Sequence, residues 1–171
     1  MQAMQTCPAN LPFTIIGIGS PHGDDRAGWA VADTIESLLT ADPDTLRRLL
    51  DIRKATVPHQ ILDWLAVDSE VHLVDASLDD DARVRRIAIG AADLHRSPPI
   101  ALKTQRSEST HHMDVLETLK LAAALGRFPN ELILWTISIT EYRRASEMSQ
   151  PVELLVQRCA QQMIDEIVGR N

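Results

Sequence analysis

Cysteine is almost missing from this chain. Cys7 and Cys159 are the only two in 171 residues, far apart and without a Cys-x-x-Cys pair. That excludes a disulfide framework and a thiolate metal site, and both thiols are expected to be reduced. Positive charge is in deficit too. Seventeen Lys and Arg stand against 24 Asp and Glu, a net charge of −7, which argues against a nucleic-acid partner. No apolar run approaches the roughly 20 residues needed to span a bilayer, so no membrane association is expected. Residues 1–12 lack the basic start and apolar core of a signal peptide, and a cytoplasmic location is the expectation. Aromatic residues make up only 4%, and the three tryptophans are expected in the core. There is no Gly-x-Ser-x-Gly elbow and no His-Glu-x-x-His, and neither cysteine has the setting of a nucleophile. Internal repeats and linkers are absent as well.

What is present is an ordinary soluble composition, 44% hydrophobic and 24% charged. It is long enough to bury about two thirds of its unfolded surface in a core. Strand-like and helix-like segments alternate. Strands are expected at 13–18, 50–57, 71–76 and 132–139, with 83–89 as an edge strand whose arginines suit exposure. Helices are expected at 25–40, 59–67, 112–125 and 151–168, the last starting after Ser149 with Pro151 in its first turn. Residues 94–110 read as a long polar loop. This alternation predicts an α/β fold. The form expected is a three-layer α/β/α sandwich, one domain over residues 1–171, with a mostly parallel twisted sheet of about five strands.

Within that frame, the first strand ends in the turn Gly17-Ile18-Gly19-Ser20-Pro21-His22-Gly23-Asp24-Asp25. The carboxyl ends of strands in such a sheet are where ligands are held. Asp25 opens the first helix, Asp75 ends the strand at 71–76, and His111 stands where the long loop becomes a helix. All three are expected toward one edge of the sheet. Two carboxylates and one imidazole suit a first-row divalent cation and leave coordination positions open. Each residue also has a plainer reading. Asp24 or Asp25 can cap the helix, with Asp24 assigned the cap and Asp25 the chemistry. Asp75 can be a turn residue, and His111 a helix-start residue with His112 competing for its register. The other histidines are read as structural or surface groups, and Asp79-Asp80-Asp81 as a solvated turn.

The motifs resemble the hydrogenase maturation proteases, which trim the C-terminal tail of the nickel-iron hydrogenase large subunit. The resemblance rests on Gly17-x-Gly19 followed by Asp24-Asp25 and Gly28, on Val74-Asp75-Ala76, and on Ser109-Thr110-His111 before a Leu-rich helix. Leu125-Gly126-x-x-Pro129 and Met148-Ser149-Gln150-Pro151-Val152 extend it. It runs from about residue 13 to 168. Departures are Ser20 for the usual Asn, a first loop one residue shorter, Arg26 after the acidic pair, and a 132–139 strand without the usual Gly-Ile/Val-x-Pro ending. The resemblance implies a metal-dependent endopeptidase whose partner is the large-subunit precursor. The cofactor would be nickel supplied by that precursor. Asp25, Asp75 and His111 would be both metal-binding and catalytic, gripping the substrate's nickel beside the scissile bond. Two other classes fit the residues. One is a maturation chaperone that binds the nickel-loaded subunit without cutting. The other is a nucleotide- or phosphate-binding domain, against which the glycine spacing misses the dinucleotide pattern by one residue.

Overall fold

The structure is a computed structural model and describes residues 13–41, 49–96, 114–141 and 147–169. Five strands form one sheet: β1 (Phe13–Ile18), β2 (Leu50–Ala55), β3 (Glu70–Leu78), β4 (Val84–Ile89) and β5 (Glu131–Ile139). Their order is β2-β1-β3-β5-β4. The first four in that row run parallel, and β4 closes one edge antiparallel to β5. Helices α1 (Ala27–Ala41), α2 (Asp93–Arg96), α3 (Val115–Ala124) and α4 (Gln150–Gly169) complete the described elements, with 3₁₀ turns at Gly23–Arg26 and Pro58–Asp63. Among the described residues, no helix is long and apolar enough to cross a membrane.

The layering follows from strand alternation. Helices cover both faces of a parallel sheet, so its central strands are apolar on both sides. Every residue of β1 is buried. Phe13 and Ile15 of β1, Val74 of β3 and Ile133 of β5 pack toward α1 and α4. Ile16, Leu73 and Leu134 on the opposite face pack with Ile61, Leu94 and Leu119, from the second 3₁₀ turn, α2 and α3. The edge strands β2 and β4 are only partly buried. Arg86 on β4 reaches back to α4, where its guanidinium forms a bidentate pair with Glu166, both N–H···O distances being 2.6 Å.

A polar chain runs through the core on the side of α1 and α4. His72 is fully buried. The Trp135 indole N–H donates to its Nδ1 at 3.1 Å, and Nε2 lies 2.8 Å from Glu70 Oε1. An indole nitrogen can only donate, which leaves the ring proton on Nε2, pointing at the carboxylate. Cys159 is also buried, and burial pushes its thiol up to about 12. Cys7 lies outside the described residues.

Several boundaries differ from the sequence reading. The expected helix over 59–67 is only the 3₁₀ turn Pro58–Asp63. Gln60 Oε1 turns back to accept from Thr56 N at 2.8 Å, and Ile61 and Leu65 are drawn onto the sheet. The first long helix begins at Ala27, because residues 23–26 wind more tightly as a 3₁₀ turn. β3 continues to Leu78, two residues past the expected end, because β5 keeps pairing with it as far as Leu78↔Ile139. Helix α3 starts at Val115, where Asp114 accepts from Glu117 N at 2.8 Å as its N-cap. Asp114-x-x-Glu117 is a recognisable capping pattern that could have set this start from sequence.

Candidate functional site

The site begins with how closely α1 approaches the sheet. A methyl group on Gly28 would lie 2.2 Å from Ile18 O and 2.5 Å from Val74 O. One on Gly17 would lie 2.2 Å from Gly28 O, and one on Gly19 2.4 Å from Asp25 O. All these neighbours are backbone atoms. The glycines of the opening motif therefore make room for the chain's own backbone, and the start of α1 seats directly on β1 and β3. Gly23, with φ +51°, provides the left-handed bend that starts the 3₁₀ turn.

That turn carries the two acids. The sequence reading gave Asp24 a cap on its own helix. Instead the Asp24 carboxylate crosses to α4: Ser149 N donates to Oδ1 at 2.7 Å and Ser149 Oγ to Oδ2 at 2.9 Å. Ser149 is the N-cap of α4, its carbonyl accepting from Glu153 N at 3.0 Å. A carboxylate at that end of a 20-residue helix is favourably placed against the helix dipole. Asp25, one residue on, is partly exposed. Its carboxylate has no hydrogen-bond or ion-pair partner among the described residues, and its carbonyl accepts from Ser20 N at 3.3 Å.

Asp75 is not the last residue of its strand, as the sequence suggested. It pairs with Thr136 inside β3. It is, however, the first β3 residue beyond the reach of β1, whose pairing with β3 ends at Gly17↔Val74. The residue is 7% exposed, and its Oδ1 accepts from Ala76 N at 2.8 Å. The 3₁₀ turn bearing Asp25 packs against β3, so the structure brings the elements of both acids to the same sheet edge. His111 and His112 lie outside the described residues. Among the described residues no group of three His, Cys, Asp or Glu side chains is spaced to hold a metal ion.

A polar strip around Asp75 was not read from the sequence. Along the α3-side face of β3 and β5 the apolar pattern gives way to Asp75, Ser77, Thr136 and Ser138, all buried. Serines and threonines within apolar strands are a weak signal, and only the register aligns these four. Beyond them, Asp79 binds both Arg83 and Arg85. The Arg83 hydrogen bond, then the Asp81 backbone N–H and the charges of both arginines, hold the Asp79 carboxyl below its usual range. The expected solvated turn is thus a bound one at its first residue. A cavity of about 230 Å³ between this turn and α4 is lined by Asp24, Asp79, Asp80, Glu141 and Ser149. It is an acid-rich hollow beside the Asp25 turn.

Residues 82–166, about half of the chain, match the model of the family described as hydrogenase maturation protease. Solved structures share the fold. The hydrogenase maturating endopeptidase HybD from Escherichia coli is 15% identical, with 93% of each chain covered and a TM-score of 0.67. The [NiFe] hydrogenase maturation protease HybD from Thermococcus kodakarensis is 19% identical over 90% of this chain and 97% of its own, with a TM-score of 0.59. The maturation protease HycI from Thermococcus kodakarensis KOD1 is 18% identical over 91% of both chains, again at 0.59. No curated protein matches the chain in sequence.

Proposed function

Because the chain belongs to the hydrogenase maturation protease family, we propose that it is a metal-dependent endopeptidase. Its substrate is the nickel-loaded large-subunit precursor of a nickel-iron hydrogenase, from which it removes the C-terminal extension. Asp25, Asp75 and His111 bind the nickel that the substrate brings. The observation that carries this reading is the division of labour between adjacent acids. Asp24 is engaged by Ser149, while Asp25 has no partner among the described residues and sits on a turn packed against the strand of Asp75. Three protein ligands leave coordination positions open, as a Lewis-acid role requires. The nickel then polarises the scissile carbonyl or activates water beside it. A nucleotide-binding reading is less well supported, since the glycine spacing of the first turn misses the dinucleotide pattern by one residue.

The test is cleavage itself. Nickel-loaded precursor is incubated with the protein, and tail loss is followed by mass spectrometry. Wild type should cut, while Asp25→Asn, Asp75→Asn and His111→Ala should each lose most activity. Precursor that binds but keeps its tail would point to the chaperone instead. Equal cutting of nickel-free precursor would refute the metal's role.

A further inference from the structure

We propose that Asp24 is the positioning residue of the site, holding Asp25 in place through the first turn of α4; this rests on the reading of Asp25 as a nickel-binding residue. A four-residue 3₁₀ turn has little rigidity of its own. Here it is held from two sides. On the sheet side, Gly28 abuts Ile18 and Val74, and Gly19 lies against the backbone of Asp25. Toward α4, both oxygens of Asp24 are bound by Ser149, 125 residues away in sequence. The anchor is firm because α4 is fixed in the core by Val152, Val156, Cys159 and Met163. Successive residues of a 3₁₀ turn diverge by about 120°. With Asp24 tied to α4, Asp25 is therefore directed away from it. The segment Met148–Val152, whose resemblance to the family had no chemical role attached, acquires one as the receiver of Asp24.

The test uses Ni²⁺ alone as probe, titrated calorimetrically into the full chain, beside cleavage of the precursor. Outer groups that orient a metal ligand affect affinity by about 10–100-fold when removed. Asp24→Ala is expected to weaken the Ni²⁺ Kd by about tenfold or more on that basis. Asp24→Asn keeps an acceptor for Ser149 N–H and should recover most of the affinity. Ser149→Ala removes one of the two bonds and should give a smaller loss, and Asp24→Ala/Ser149→Ala should be no weaker than Asp24→Ala. A purely structural role would lower the number of binding-competent molecules, and so the stoichiometry, while leaving Kd unchanged. If Asp24→Ala fails to fold, Asp24→Asn and Ser149→Ala carry the comparison. Wild-type Kd in the folded Asp24 and Ser149 variants, with Ni²⁺ binding lost in Asp25→Asn, overturns this inference alone. Undiminished binding by Asp25→Asn, or none by wild type, overturns the reading of Asp25 and the inference with it.

Discussion

Gly28→Ala is the sharpest test of how the site is built. Gly28 lies in α1 and its φ is not left-handed, so alanine meets no backbone strain there and gains helix propensity, worth about 1 kcal/mol. The contacts argue the other way. The new methyl would sit 2.2 Å from Ile18 O, 2.5 Å from Val74 O and 2.8 Å from Ile18 N, where ordinary contact starts at 3.4 Å. Two strands would have to yield together, or the start of α1 would withdraw by about 1 Å, an overpacking penalty of about 3 kcal/mol. The net loss is about 2 kcal/mol, which lowers Tm by about 4–8 °C for a chain of this size. Urea unfolding followed by circular dichroism measures the first quantity and a thermal scan the second. The same withdrawal displaces Asp25, and a misplacement of about 1 Å can cost about 100-fold in rate, so precursor cleavage should fall further than stability does. Gly126→Ala is the control. No atom lies within 4 Å of its added methyl, but its φ is +66°, so it should lose about 1 kcal/mol from backbone strain alone and leave cleavage intact. A Gly28→Ala protein as stable as wild type would refute the close-packing account.

Trp135→Phe removes the N–H that satisfies His72 Nδ1 in the core, and should cost about 2 kcal/mol in urea unfolding. Cys159, with its thiol pushed up to about 12, should resist alkylation at pH 8 in the folded protein and react once urea unfolds it. Its folded value lies above the ordinary 9.0, so its contribution to stability is full below pH 9.0 and is lost as pH rises toward 12, which high-pH unfolding curves would show. Asp79 behaves oppositely, since its folded pKa is lowered below 3.8. The stability gap between wild type and Asp79→Asn should be present at neutral pH and close as pH falls below 3.8 through the lowered value.

The sheet was legible because its central strands are short, continuous apolar runs. Such runs as 13–18 and 132–139 have few alternatives in a chain that alternates strand and helix. The edge position of β4 was legible from its arginines, which one side of a sheet edge leaves in water. Boundaries failed where a distant partner set them. β3 runs past Asp75 because β5 offers hydrogen bonds there, and residues 58–63 wind tightly because Ile61 and Leu65 are pulled onto the sheet. Neither influence is written in the local sequence. Of the site, the types and order of Asp25 and Asp75 were readable, but the roles of their neighbours were not. An acid that caps its own helix and one that clasps a distant helix look identical as Asp24 in a string of letters, and only the position of Ser149 separates them.

By itself, then, the sequence determined the alternating α/β architecture, the five strands and the acidic turn after the first of them, because periodicity and chain punctuation are local properties. The tertiary structure decided where β3 ends, that the glycines face backbone, that Ser77, Thr136 and Ser138 join Asp75 in one buried strip, and that Asp24 belongs to α4. Each of these depends on contacts between segments far apart in the chain, and such contacts exist only once the sheet has brought its strand ends together.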